Sequence, residues 1–159
     1  MADDLTGGCQ CGAVRFRAEK LGRASICHCR MCQKAFGGFY GPLVSGIGVR
    51  WTRGAPSWFA SSNKARRGFC SLCGTPLAYD YGNLAEIELA IGALDDPELA
   101  APAIQVNPRD KLSFVDAIAQ LPTRPPGGSA EAEACLADVL SYQHPDRDTA
   151  VWPPEGAVR

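Results

Sequence analysis

The chain lacks a long apolar run, an excess of charge of either sign, and a glycine-rich phosphate loop. Each absence excludes something. No hydrophobic stretch approaches the ~20 residues needed to cross a bilayer, so no membrane association is expected. Lys plus Arg (16) nearly cancels Asp plus Glu (17), for a formal net charge of −1. No basic field is left to hold a phosphate backbone, and nucleic acid is not an expected partner. The opening MADDLTGG has neither the positive segment nor the apolar core of a secretory signal. A cytoplasmic location is therefore expected, where thiols stay reduced. There is no βαβ alternation and no internal repeat. What remains is an ordinary soluble composition, 46% hydrophobic and 21% charged, in 159 residues, enough for one domain with a real core.

Against that background the chain carries eight cysteines. Their share falls below the ~8–10% that marks a disulfide scaffold, and a reducing compartment points instead to metal. Seven of them cluster: Cys9 and Cys11 in GGCQCG, Cys27, Cys29 and Cys32 in CHCRMC, Cys70 and Cys73 in FCSLCG. A closed tetrahedral zinc site takes four protein ligands, and a catalytic one takes three and leaves a position for water or substrate. Seven thiols divide as four plus three, one structural zinc and one open zinc. Spacing alone does not say which cysteines go where, since Cys29 and Cys32 with Cys70 and Cys73 would also make a zinc ribbon, leaving Cys9, Cys11 and Cys27. A redox dithiol at Cys29 and Cys32 is the competing use of a CxxC at a helix start. It lacks the βαβ context, and a third thiol stands beside it. His28, between two cysteines of an extended CHC, points its ring away from both, which suits a supporting or exposed position better than ligation. His144 is an ordinary tail residue, and Cys135, on a helical apolar stripe, is expected to be a small buried hydrophobe.

In chain order, Cys11 to Glu19 alternate with the period of a half-buried strand, and Gly22 reads as the turn of a hairpin whose return runs from Ala24 to Cys27. RMCQKAF has short helical character and is stopped by Gly37 and Gly38; Cys32 falls in its first turn, where free N–H groups favour a thiolate. From Phe39 to Phe69 short apolar stretches cut by glycine and proline read as successive strands. Thr75 to Tyr79, Glu86 to Ile91 and Ala103 to Val106 are further strands, with LDDPE a turn. A linker, TRPPGGS from Thr123, precedes a helix capped by Ser129 and running to about Tyr142. Its stripe of Ala132, Cys135, Leu136, Val139 and Leu140 is expected to dock on the β core, and an extended tail follows. Arg15 with Arg17, and Lys64 with Arg66 and Arg67, read as solvated basic faces, the second group alternatively as a seat for the carboxylates of a thiol.

Four blocks in this order, GGCQCGAVRF, CHCRMCQKAFG, RGFCSLCGTPLAY and IGALDDP, resemble the glutathione-dependent formaldehyde-activating enzyme family, which includes centromere protein V. The resemblance covers about residues 5–122, taken as the zinc-binding domain, with 123–159 as linker, helix and tail packed upon it. It implies a mainly β, Mss4-like zinc-binding fold of short antiparallel strands. It also implies a partition of the cysteines: Cys9, Cys11, Cys70 and Cys73 for structural zinc, and Cys27, Cys29 and Cys32 for a catalytic, more labile zinc. The implied activity is that of a carbon–sulfur lyase joining glutathione, or a similar small thiol, to a small aldehyde such as formaldehyde. A zinc-stabilised module that binds thiols without catalysis is the alternative, because a fold does not fix a function. The segment KLSFVDAIAQLP departs from the family, many members of which carry an aromatic-rich, tryptophan-containing stretch there.

Overall fold

A computed structural model describes residues 5–82, 86–123 and 129–153. These form ten strands and two α-helices: β1 (Thr6–Gly8), β2 (Arg15–Arg17), β3 (Lys20–Cys27), α1 (Arg30–Phe36), β4 (Gly41–Ile47), β5 (Arg50–Arg53), β6 (Ser57–Ala60), β7 (Arg66–Phe69), β8 (Pro76–Asp80), β9 (Glu86–Ala90), β10 (Ile104–Val106) and α2 (Ala130–Ala137). One sheet has three strands in the order β1-β2-β5, and the other has seven in the order β10-β3-β4-β9-β8-β7-β6. Neighbours are antiparallel except β10, which runs parallel to β3 and pairs Val106 with Cys27. The fold is mainly β, as an Mss4-like domain requires. No helix among the described residues is long and apolar enough to cross a membrane.

The core lies between the sheets. Phe16, Val44, Leu77 and Leu89 are fully buried there, with Cys9 and Cys70 in the same cluster. The alternation around β2 puts Val14, Phe16 and Ala18 inside, and Phe16 meets Trp51 edge-on at 5.8 Å. Arg15 departs from its expected solvated place: it is only 2% exposed, because Asp95 and Asp148 close on its guanidinium. Cys9 and Cys11 lie in a turn between β1 and β2 rather than in a strand, with the Gly12 N–H bonded to the Cys9 carbonyl at 2.9 Å. Gly22 is not a hairpin turn either. It sits inside β3 where the register against β4 shifts between Leu21 and Ala24, the bulge use of a strand glycine.

Beyond residue 122 the expectations fare less well. The linker lies outside the described residues from 124 to 128. Helix α2 ends at Ala137, short of Tyr142. Cys135, Leu136, Val139 and Leu140 are all exposed rather than buried on the core; the side chains of residues 131 and 132 lie outside the description. The tail, by contrast, does return to the domain. The His144 N–H bonds the Gln10 carbonyl at 2.7 Å, Trp152 Nε1 donates to the Cys11 carbonyl at 2.6 Å, and Arg53 donates to the Thr149 carbonyl. His144 is thereby buried, against the expectation of an ordinary tail residue, and packs where Gly12, at φ +76°, has no side chain.

Candidate metal centres

The two cysteine groups assemble as a quartet and a trio. Cys9 and Cys11 come from the β1–β2 turn, Cys70 and Cys73 from the β7–β8 turn, and their four Sγ atoms lie within 4.8 Å of one another. Adjacent separations are 3.6 Å for Cys9–Cys11 and 3.8 Å for Cys11–Cys70. Four sulfurs around zinc at 2.3 Å stand about 3.8 Å apart along each tetrahedral edge. These two edges match such an ion, and the remaining separations stay within 4.8 Å. Backbone N–H groups already solvate its sulfurs: Val14 donates to Cys9 at 3.2 Å and Leu72 to Cys70 at 3.4 Å. Burial raises the thiol pKa of Cys9, Cys11 and Cys70. At Cys73 burial raises it too, but the Thr75 hydroxyl and nearby backbone outweigh this and bring it down to about 6.

Cys27, Cys29 and Cys32 form the trio, again with Sγ atoms within 4.8 Å, and no further His, Cys, Asp or Glu joins it among the described residues. Cys27 ends β3, opposite Gly41 of β4. Cys29 caps α1 and accepts the Cys32 N–H at 3.4 Å. Helix α1 lies close on β4 because Gly41 carries no side chain: a Cβ there would meet Cys32 Cβ at 2.9 Å and the Phe36 ring at 3.0 Å. A different group donates to each of the other two sulfurs. Asn107 Nδ2 reaches Cys27 at 3.3 Å, and an Arg67 guanidinium nitrogen reaches Cys32 at 3.3 Å. Burial raises the Cys27 thiol pKa, but the Cys29 backbone and the Asn107 amide leave it lowered overall. Burial pushes Cys32 up to about 12, with the Arg67 guanidinium opposing.

Several of these supports were not legible in the sequence. Arg67 is not part of a solvated face but is 8% exposed, whereas its neighbour Arg66 turns outward to Asp80 at 2.8 Å and stacks on Trp58. Asn107 stands just beyond β10 in the left-handed region, φ +54°, which asparagine tolerates better than most residues; Pro108 after it was the one visible sign of a turn. His28 is not exposed. Its ring is fully buried, with Nε2 2.9 Å from Gln105 Oε1 and no partner for Nδ1 among the described residues, and it stands outside the trio. Gln33 ties the cysteine loop to the loop after β10 by donating to the carbonyls of His28 (2.8 Å) and Asp110 (3.1 Å).

Residues 4–109 match the family model described as glutathione-dependent formaldehyde-activating enzyme. The chain belongs to that family. All seven clustered cysteines fall inside the matched span, and α2 and the tail fall outside it. Membership places the two cysteine groups in a setting of glutathione-related formaldehyde activation. Of solved structures, that of a Rhodobacter sphaeroides protein is similar, with a TM-score of 0.53 at 21% identity, over 64% of this chain and 100% of that one. At that identity the likeness speaks for the fold alone. No curated protein matches the chain.

Proposed function

We propose that this family member joins a low-molecular-weight thiol of the glutathione type to a small aldehyde such as formaldehyde, giving an S-hydroxymethyl adduct. In this proposal Cys9, Cys11, Cys70 and Cys73 hold a structural zinc, and Cys27, Cys29 and Cys32 hold a catalytic one. The observation that carries it is the trio itself: three converging sulfurs with no fourth donor of the protein's own among the described residues. Cys27, Cys29 and Cys32 would hold the ion, which would supply an open position and the positive charge that keeps a substrate thiol as a nucleophilic thiolate. The three cysteines act as ligands, not attacking groups. Asn107, the Cys32 N–H and Arg67 each direct one N–H to one sulfur, which fixes their orientation toward a common point. In the net reaction the thiol sulfur bonds to the carbonyl carbon, the C=O π bond breaks, and the thiol proton ends on the new hydroxyl. The reverse is cleavage of a carbon–sulfur bond, hence a lyase.

The test is exchange between 13C-formaldehyde and its glutathione adduct, followed by NMR with zinc-loaded protein. Wild type should accelerate exchange over the spontaneous rate, and Cys29→Ser should not. Acceleration equal in both, or absent from wild type while glutathione still raises the melting temperature, would leave a thiol-binding module without catalysis.

A further inference from the structure

We infer that Arg67 is the counter-cation of the cysteine trio, a positioning residue that holds Cys32 in its ligating place and favours a co-substrate that arrives as a thiolate. This role rests on the trio being the metal centre proposed above. A guanidinium is a permanent cation, and taking it out of water is costly unless an anion compensates. The protein obeys that rule elsewhere: buried Arg15 lies between Asp95 and Asp148. Arg67, also buried, has no carboxylate partner among the described residues. Its Nε donates to Ser61 Oγ at 3.0 Å, its flat face lies 4.6 Å from the Tyr79 ring, and a terminal nitrogen meets Cys32 Sγ at 3.3 Å. Ser61 is neutral and Tyr79 offers a ring face. Among the described residues the Cys32 sulfur, as a metal-bound thiolate, is the contact that can supply the missing negative charge.

The charge count gives this contact a purpose. Three thiolates around a divalent cation sum to −1, and a fourth sulfur makes −2. Arg67 returns the loaded centre to −1, so it stabilises an anionic fourth donor relative to water or an alcohol. The fork geometry matters as well as the charge. Ser61 and Cys32 are held at once by separate nitrogens of one planar group, which a lysine cannot reproduce.

The experiment is cobalt exchange into the more labile site of the zinc-loaded protein, reading the thiolate-to-cobalt charge-transfer and d–d bands with and without glutathione. Arg67→Met should bind cobalt at the trio about 10–100-fold more weakly, the usual effect of losing a partner of a metal ligand. Glutathione should no longer shift its d–d bands at a concentration that saturates wild type. Arg67→Lys should retain two metals and the glutathione response but show an altered charge-transfer band, and Arg66→Met should match wild type. Wild-type affinity and spectra in Arg67→Met overturn the role, as does an equal loss in Arg66→Met. If Arg67→Met does not fold, Arg67→Lys decides: a wild-type band there is equally fatal. A wild-type protein that takes up only one metal sinks the trio as a metal centre, and this role with it.

Discussion

Replacing Cys70 by serine should cost this protein its fold, and replacing Cys29 by serine should not. Cys70 is 1% exposed and belongs to the core cluster with Phe16 and Leu77. The quartet it completes fastens the β1–β2 turn of the small sheet to the β7–β8 turn of the large one, and Cys11 and Cys70 are 59 residues apart in sequence. Closing a loop of that length removes about 4 kcal/mol of freedom from the unfolded chain, by the relation used for disulfides. Zinc in a closed cysteine site contributes about 10–16 kcal/mol of apparent binding free energy to folding, and a whole domain is stable by only about 5–15 kcal/mol. One lost thiolate in the quartet therefore threatens the entire margin. Cys29 is half-buried and serves locally as the cap of α1. Serine is among the preferred residues for that task, so the helix keeps its start while the trio loses a ligand. Melting of the zinc-loaded variants followed by circular dichroism is the assay. Cys29→Ser should melt cooperatively within a few degrees of wild type, and Cys70→Ser should show no cooperative transition. Similar melting temperatures for the two variants would refute the division of labour.

Mild chelation should remove one zinc before the other, with the protein still folded after the first loss; two zincs resisting the chelator equally, measured by metal analysis against circular dichroism, would contradict this. Asp95→Asn should destabilise by about 3 kcal/mol in urea titration, since it removes one partner of a buried guanidinium, with Asp148 limiting the loss. Burial raises the Asp95 carboxyl, but the bonds from Arg15 and Thr6 outweigh it and hold it below the usual carboxylate range. Its contribution is thus complete above the unfolded value of about 4 and is lost as pH falls through the lower folded value, so the gap between wild type and variant should narrow below about pH 4. Gly12→Ala should free the tail, because the new methyl would strike the His144 ring and the backbone there is left-handed; limited proteolysis should then cut beyond Ser141 faster than in wild type, and an unchanged pattern would count against a docked tail.

The cysteine blocks were legible because each is local: two or three residues of spacing suffice to aim two thiols at one point. How the blocks combine was not. The zinc-ribbon grouping of Cys29, Cys32, Cys70 and Cys73 has equally good spacing, and what decides against it is that the sulfurs of the β7–β8 turn gather with those of the β1–β2 turn, which lies in the other sheet. Helix α1 and most strands followed from periodicity and glycine stops, but β1 (Thr6–Gly8) was not legible as a strand, and β2 spans only Arg15–Arg17 of the stretch from Cys11 to Glu19. The misread charges share one cause. Arg15 is buried by carboxylates 80 and 133 residues away, and Arg67 is withdrawn against a sulfur 35 residues away, so nothing local distinguished them from the solvated Arg66. Helix α2 fails in the opposite direction: it ends at Ala137, so Val139 and Leu140 fall beyond it and Leu136 stays exposed, because apolar spacing in sequence records a capacity to pack and not the surface to pack on.

Strand β7 joins the two centres, and it does so in one direction. Arg67 directs its guanidinium to Cys32, and three residues later, about 10 Å along extended chain, Cys70 enters the quartet. The far end of β7 is therefore anchored by the quartet, so the position of Arg67 depends on it. The reverse dependence is weak. The trio is carried by the end of β3, the first turn of α1 and the Asn107 loop, held in place by Gln33 and by β-pairing with β4 and β10; none of these elements contains a quartet cysteine. On this arrangement an ion at the trio should be lost and regained without unlocking the sheets, whereas loss of an ion from the quartet should take the arginine, and with it the neighbouring charge balance, away from the trio.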